Sequence, residues 1–140
     1  MKETFNFFYP ITVRYRDLDA QGHVNNAVYL TYLESARIAY YQAVGFWHPG
    51  AFPQTGMVVA HNAIDYLAPI FFGQFIRVGL RTDAMGTKSL KMSFLIENGD
   101  GQEVARGKSV MVAYDNAQDK SVPIPEDWRK KITQFEKEAF

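Results

Sequence analysis

The sequence contains no cysteine among its 140 residues. This absence excludes disulfide bonds, thiolate metal sites and cysteine nucleophiles. The 15 lysines and arginines balance the 15 aspartates and glutamates, so no net charge attracts nucleic acid or an anionic membrane. No apolar run approaches the roughly 20 residues that span a bilayer, and the first residues lack a signal-peptide pattern. We therefore expect a cytoplasmic protein that binds neither nucleic acid nor membranes.

Apolar residues are plentiful by contrast. Hydrophobic residues make up 47% of the chain and aromatic residues 15%, against 21% charged residues, which is the composition of a chain that folds around a core. The length suits one core and not two. We expect a single domain over residues 1–140.

Helix and strand patterns divide the chain into a short series of elements. Residues 5–15 have the pattern of a strand, and residues 27–44 predict a helix of about five turns. Asn25 and Asn26 suit the start of this helix as capping residues, and Gly45 suits its end. Four strand candidates and a short C-terminal surface helix or tail follow, at 57–67, 74–85, 88–97, 102–114 and 126–140.

The last strand candidate separates small residues from large ones. Its alternate positions place mostly small side chains on one face, at Ala105, Gly107, Ser109, Met111 and Ala113. Such a face allows a bulky element to approach closely, and the long helix is the only candidate in the chain. The sequence therefore predicts an α+β fold in which an antiparallel sheet curls around one central helix.

The stretch "DLDAQGHVNN", residues 17–26, concentrates short polar side chains directly before the helix. A helix start carries free N–H donors and a partial positive charge, so it polarises a carbonyl group or binds an anion. A carboxylate at the same place could attack that carbonyl or activate water. Asp19, Gln21, His23 and Asn26 are the candidates for this chemistry, while turn formation and helix capping are the competing interpretation of each residue.

Residues 13–37, "VRYRDLDAQGHVNNAVYLTYLESAR", resemble the signature of hot-dog-fold acyl thioesterases of the 4-hydroxybenzoyl-CoA thioesterase type, which are related to plant acyl-ACP thioesterases. The resemblance implies a hot-dog fold, with a five-stranded antiparallel sheet wrapped around one long central helix. This agrees with the order of elements given above. Looser similarity to the family's later strands and turns lies at 63–74, 87–89 and 105–115.

The resemblance also assigns roles within the polar stretch. It implies that Asp19 is the catalytic carboxylate, a nucleophile or general base, and that the backbone N–H of Asn26 faces the thioester carbonyl. His23 matches a histidine of the acyl-ACP branch and has either a catalytic or an orienting role. Gln21 stands where that branch has asparagine and is a candidate substrate contact.

The remaining polar residues either lie beyond residues 17–26 or are not expected to take part in the hydrolysis. We expect Asp17 to be structural, bonding a nearby backbone group or arginine. Glu34 and Arg37 lie three apart on the helix, so they are expected to pair as buried support or at an interface. His61 and Asn62 point to opposite faces of a strand, and one of them is expected to reach the site of a neighbouring subunit.

Ligand contacts are expected at two further places. Lys88 and Ser89 occupy the turn that matches the family's segment contacting the nucleotide of coenzyme A. The acyl pocket is expected between the helix, the loop at 46–56 and a partner chain, where aromatic side chains favour an aryl or a medium aliphatic acyl group. The loop aromatics are Phe46, Trp47 and Phe52.

The resulting functional prediction is an acyl-CoA thioesterase without metal or cofactor. The family pairs two sheets edge to edge, so a homodimer or a dimer-of-dimers tetramer is expected, and the apolar outward residues Val110, Val112 and Tyr114 suit burial in an assembly. The alternatives are an acyl-ACP thioesterase, a hot-dog enoyl-CoA hydratase and a non-catalytic acyl-CoA binding module. The hydratase motif has a proline before its histidine, which "DAQGH" lacks.

Overall fold

The computed structural model describes residues 4–48, 54–137 and 140. The long helix and all five predicted strands are present within a few residues of the expected positions, except that the first strand stops early and the chain forms a 3-10 turn at Tyr15–Asp17. The elements in chain order are β1 (Phe7–Thr12), α1 (Asn26–Val44), β2 (Thr55–Tyr66), β3 (Phe75–Met85), β4 (Ser89–Asn98), β5 (Glu103–Asp115), β6 (Lys120–Ser121) and α2 (Glu126–Glu136).

One antiparallel sheet contains every strand. Its order is β1-β3-β4-β5-β2, so β1 and β2 form the two edges, and the two-residue β6 pairs with β5 as a sixth strand. The predicted five-stranded antiparallel sheet around one long helix is confirmed, with β6 as an addition. No helix in the described part of the chain is long and apolar enough to cross a membrane.

The helix α1 begins and ends where its sequence signals lie. The side chain of Asn25 accepts a hydrogen bond from the N–H of Ala27 at 2.8 Å, and Gly45 adopts a left-handed conformation with φ of 105°. One face of α1 packs on the sheet, whereas Glu34, Ser35 and Ile38 on another face remain exposed. The helix is therefore less covered within one chain than the sequence suggested.

The small residues of β5 lie on the helix side of the sheet, as predicted. Ala105, Ser109 and Met111 are buried, while Arg106 lies exposed on the outer face. A side chain at Gly107 would clash with a carbonyl oxygen of β2 and with the ring of a phenylalanine of β4. Glycine at this position therefore lets three strands pack closely.

The edge strand β2 is the least covered element of the sheet. Residues 58–63 are exposed, and the register places Asn62 and Tyr66 on the helix side, opposite Ser109 and Ala105 of β5. Because α1 packs mainly over β1 and β3, a groove remains between α1 and β2.

The second helix, α2, closes the far end of the domain. Lys131 donates to the carbonyl oxygen of Gly45 at 3.0 Å, and Trp128 stacks on Phe46 with ring centroids 4.7 Å apart. The guanidinium of Arg129 donates to carbonyl oxygens of the β3–β4 turn. The end of α1 is thus anchored at the side of the molecule opposite its polar start.

Candidate active site

A tight turn over residues 19–23 presents the candidate carboxylate. The backbone N–H of Asp19 donates to the carbonyl oxygen of His23 at 2.7 Å, and the N–H of Gly22 donates to that of Asp19 at 3.1 Å. Gly22 has φ of 81°, a left-handed conformation that costs other residues free energy. The glycine of the polar stretch is therefore required by the turn.

The carboxylate of Asp19 is held through one of its two oxygens. Oδ1 accepts hydrogen bonds from the backbone N–H groups of Gln21 at 2.9 Å and His23 at 3.3 Å. Within residues 4–48, 54–137 and 140, Oδ2 has no hydrogen bond or ion pair, and the side chain is half-buried. The turn role and the chemical role are thus compatible, because one oxygen orients the group and the other stays free.

The start of α1 lies directly beside this turn. The N–H of Asn25 donates to the carbonyl oxygen of Asp17 at 2.8 Å, and the hydroxyl of Tyr66 donates to that of Asn26 at 3.0 Å. As the first residue of the helix, Asn26 has a backbone N–H without an intrahelical acceptor. The helix start is therefore available to a ligand.

Tyr29 shows how close the carboxylate lies to the first turn of α1. Burial raises the pKa of Tyr29, and the negative charge of Asp19 contributes to raising it further. The Tyr29 ring meets Tyr66 edge-on, with centroids 5.0 Å apart. Asp19, the helix start and the end of β2 thus converge on one place.

Asp17 has a different environment from Asp19, although only one residue separates them. It accepts hydrogen bonds from the backbone N–H of Arg14 at 2.9 Å, from the Arg14 guanidinium at 3.3 Å and from the Tyr32 hydroxyl at 2.8 Å. Burial acts to raise the pKa of Asp17, but these hydrogen bonds outweigh it and hold the pKa below its ordinary value. Asp17 is structural, as the sequence predicted.

The other two members of the polar stretch contribute mainly through their backbones. The ring of His23 packs edge-on against Phe71 at a centroid distance of 5.1 Å. The side chain of Gln21 is exposed, whereas its backbone N–H orients Asp19. Both residues lie at the candidate site, with His23 closing the turn.

Of His61 and Asn62, it is Asn62 that lies on the helix side of the sheet. Ser109 donates to the side-chain oxygen of Asn62 at 2.6 Å, and Arg37 donates to Ser109 at 3.0 Å. His61 lies on the opposite face, where it lines an outer groove of about 570 Å³. Arg37 lies eleven residues along α1 from Asn26, or about 16 Å at the helical rise, so Asn62 does not reach the Asp19 of its own chain.

Within one chain, as far as the structure describes it, the turn with Lys88 and Ser89 lies away from Asp19, and Glu34 makes no direct contact with Arg37. Lys88 and Ser89 follow the end of β3 that lies opposite Asp19, so they do not meet it. In the described part of the chain, Glu34 forms no hydrogen bond or ion pair with Arg37, which donates to Ser109 instead. No direct Glu34–Arg37 contact forms among the described residues of one chain, because Arg37 turns into the domain while Glu34 stays in solvent, although the charge of Glu34 still acts on Arg37.

The predicted aromatic lining is only partly visible. Phe46 and Trp47 are half-buried and line a small cavity near the end of α1 with Tyr41 and Trp128. Phe52 lies outside the described residues. Among those that are described, no cluster of histidine and carboxylate side chains could hold a metal ion.

Sequence reasoning missed three residues of this region. Tyr66 and Tyr29 frame the helix start, and Tyr41 lies buried farther along α1. The alternation of Asn62 and Tyr66 on β2 was a usable signal, because both had to share a face with the small side of β5.

A central helix, a wrapped antiparallel sheet and a carboxylate beside the helix start define the class of hot-dog thioesterases. Residues 13–132 match the family model described as the thioesterase-like superfamily, and the chain belongs to that superfamily. It is a thioester hydrolase, in agreement with the expectation drawn from residues 13–37.

Individual relatives are similar to most of the chain. The structure of a thioesterase from Thermus thermophilus, complexed with coenzyme A and Zn, is 38% identical over 99% of this chain and 100% of that chain, with a TM-score of 0.84. The uncharacterized protein YsmA of Bacillus subtilis is 33% identical over 121 residues, covering 86% of this chain and 81% of that protein. A 1,4-dihydroxy-2-naphthoyl-CoA hydrolase of Synechococcus elongatus is 26% identical over 122 residues, covering 83% and 89%.

Proposed function

We propose that this protein is an acyl-CoA thioesterase that hydrolyses an acyl thioester to a free acid and coenzyme A. Asp19 is the catalytic carboxylate in this proposal, and the backbone N–H of Asn26 is the donor to the thioester carbonyl. The observation that carries the proposal is the position of the Asp19 carboxylate, which has one oxygen fixed and one free beside the start of α1.

The chemistry follows from these two groups. The helix start stabilises the negative charge that develops on the carbonyl oxygen when the acyl carbon is attacked. The free oxygen of Asp19 either attacks that carbon directly, giving an anhydride that water then opens, or takes a proton from the attacking water. In both routes the bond from carbon to sulfur breaks, water supplies the hydroxyl group of the acid, and coenzyme A leaves as a thiolate that takes up a proton. The turn that fixes Oδ1 serves either route.

A second copy of the chain completes the proposed site. Antiparallel pairing of two β2 edges across a twofold axis reverses the direction of the second sheet. The end that carries Lys88 and Ser89 in one copy then lies at the same end as Asp19 in the other, which would supply positive charge for the coenzyme A phosphates. The exposed edge of β2 supports such a homodimer, and the outer face with His61 and Val110 supports pairing into a tetramer.

A panel assay tests the function. Wild-type protein is mixed with acyl-CoA thioesters of aromatic and aliphatic acids, and with acyl-ACP thioesters, and the released thiol is measured. We expect turnover of acyl-CoA, and we expect Asp19→Asn to lower kcat by a factor on the order of 10³ while coenzyme A binding is retained.

Asp65→Asn is the matched control, because Asp65 is an exposed carboxylate on the outer face of β2. It should leave kcat unchanged. Binding without turnover in the wild type would instead identify an acyl-CoA binding module, and full activity in Asp19→Asn would refute the assigned role of this carboxylate.

A further inference from the structure

A cavity of about 370 Å³ lies between the exposed side of α1 and the edge strand β2. Its walls are largely apolar and include Ile38, Met57 and Val59. Four polar side chains of the helix, Glu34, Ser35, Arg37 and Tyr41, line the same cavity, and of these Arg37 and Tyr41 are buried. We call this space the helix–strand cavity.

Two of these polar side chains are almost completely buried, with 3% of Arg37 and 4% of Tyr41 exposed. Within residues 4–48, 54–137 and 140, the Nε of Arg37 and the hydroxyl of Tyr41 are buried without any hydrogen-bond partner. Arg37 uses its Nη2 to bond Ser109, so its Nε remains a free donor. Native proteins seldom bury two such groups side by side, and an oxygen ligand would satisfy both.

The charge of Arg37 adds a further requirement. Buried charges are normally paired with an opposite charge. Glu34 also lines the cavity and its charge acts on Arg37, but its side chain is exposed to water and forms no ion pair with Arg37 within the described residues. Burial lowers the pKa of Arg37, as expected for a cation that lacks a buried anion. The fitting ligand is therefore negatively charged.

The proposed homodimer places this cavity next to a catalytic centre. The cavity uses Met57 and Val59, which belong to the first half of β2. In an antiparallel pair of β2 strands, that half lies beside the second half of the other copy's β2, which ends at Tyr66 against the helix start. An acyl group bound at the Asp19 of one copy can thus extend into the helix–strand cavity of the other.

We propose that Arg37 and Tyr41 bind a carboxylate at the far end of the acyl group, so that the preferred substrates are thioesters of dicarboxylic acids. This inference rests on the proposed thioesterase function and dimer. The Nε–H of Arg37 and the hydroxyl of Tyr41 each donate to the carboxylate, while the apolar walls enclose the methylene chain between it and the thioester. The two residues are specificity-determining and take no part in the hydrolysis itself.

The test compares matched pairs of CoA thioesters. Straight-chain acyl groups of four to ten carbons end either in a methyl group or in a carboxylate, and a third series ends in a hydroxyl group. At the best chain length, we expect kcat/KM for the carboxylate to exceed that for the methyl compound by at least about tenfold, the order expected of charge-assisted hydrogen bonds. Equal values, or a preference for the hydroxyl series alone, would overturn the inference.

Two variants assign the preference to the cavity. Tyr41→Phe removes only the unpartnered hydroxyl, and Arg37→Gln removes the charge while leaving an amide that can reach Ser109. Each should lower kcat/KM for the carboxylate series about tenfold more than for the methyl series. Tyr114→Phe is the control, because its hydroxyl bonds Asp119 on the outer face. An equal loss on both series would mean that Arg37 and Tyr41 are structural.

Turnover of the methyl series separates this inference from the proposed function. If the wild type hydrolyses none of the thioesters, the proposed function fails. The inference is then judged by calorimetric binding of the same matched pairs to the wild-type protein. Tighter binding of the carboxylate compound, lost in Tyr41→Phe, would support it, and equal binding would refute it.

Discussion

Asp17 and Asp19 belong to the same short stretch, yet they differ in almost every structural respect. Asp17 is 2% exposed and accepts hydrogen bonds from Arg14 and Tyr32. Asp19 is half-buried, is bonded only by backbone N–H groups of its own turn, and keeps one oxygen free within the described residues. A fully satisfied carboxylate stabilises the fold, whereas a carboxylate with a free oxygen can react.

The difference arises from which element approaches each side chain. Tyr32, in the second turn of α1, reaches back to Asp17 and encloses it. The side chain of Asp19 instead curls over its own turn, and the nearest aromatic neighbours, Tyr29 and Tyr66, bond to carbonyl groups. The hydroxyl groups of these two tyrosines are thus engaged by the backbone and not by the reactive carboxylate.

Asp17→Asn should have the largest effect on stability. The substitution removes the charge that accepts from Arg14 and Tyr32, so we expect the free energy of unfolding to fall by about 2 kcal/mol at neutral pH. Urea unfolding followed by circular dichroism measures this loss. Thioesterase activity per folded molecule should stay close to that of the wild type, and a selective loss of kcat with intact stability would reverse the assignment of the two aspartates.

The difference in stability between the wild type and Asp17→Asn should also depend on pH. Because the pKa of Asp17 is lowered in the folded state, its ionised form stabilises the protein above the unfolded pKa, and this contribution is lost as pH falls through the folded pKa. The stability gap between wild type and Asp17→Asn should therefore be complete at neutral pH and narrow below about pH 4. A gap that stays constant down to pH 2 would show that the charge is not the cause.

Gly22→Ala should have an intermediate effect on both properties. A side chain at Gly22 meets no atom within 4 Å, so the cost is the left-handed backbone alone, about 1 kcal/mol. Because this turn positions Asp19, kcat should fall as well. Gly101→Ala is a matched control, since Gly101 has φ of 79° and equally open surroundings in the β4–β5 turn. It should cost similar stability and leave kcat unchanged.

His23→Gln should have a smaller effect. The backbone of His23 closes the turn, and its ring packs against Phe71, which indicates an orienting role. We expect kcat/KM to fall by less than about tenfold, because glutamine keeps the backbone and one polar group. The dependence of kcat on pH distinguishes an orienting role from proton transfer. A change of kcat between pH 5 and 8 that is present in the wild type and absent from the variant would establish proton transfer by the ring.

Gln21→Ala should have the smallest effect. The exposed side chain is removed, while the backbone N–H that bonds Asp19 at 2.9 Å is kept. Steady-state kinetics should give kcat and KM values near those of the wild type. A rise in KM of more than about fivefold would show that the amide binds the substrate directly.

Much of the architecture could be predicted because its signals are local. Asn25 and Gly45 mark the ends of α1 through capping and left-handed geometry, which need only neighbouring residues. The alternation along β5 identified the helix side of the sheet for the same reason. The first strand was extended too far because the turn at Tyr15–Asp17, which Asp17 holds by accepting from the backbone N–H of Arg14 and from the distant Tyr32, interrupts a stretch with a strand-like composition.

The candidate site was predictable in its parts but not in its assembly. The polar stretch indicated a carboxylate near a helix start, and that proximity is fixed by the short segment of five residues that separates Asp19 from Asn25. The contacts among Arg37, Ser109 and Asn62 join three elements that are distant in the chain, so no spacing indicated them. Glu34 and Arg37 make no direct contact within the part of one chain that the structure describes, because helical spacing alone does not determine which side chain is buried.

The sequence by itself determined the elements, their order, the turn that holds Asp19 and the family to which the chain belongs, because each depends on local backbone preferences and on a contiguous motif. Only the tertiary structure decided which aspartate is enclosed, which face Asn62 occupies and that Arg37 and Tyr41 line one cavity. Those outcomes depend on how α1 lies across the sheet, with β2 left uncovered, and that packing is set by side chains far apart in the chain.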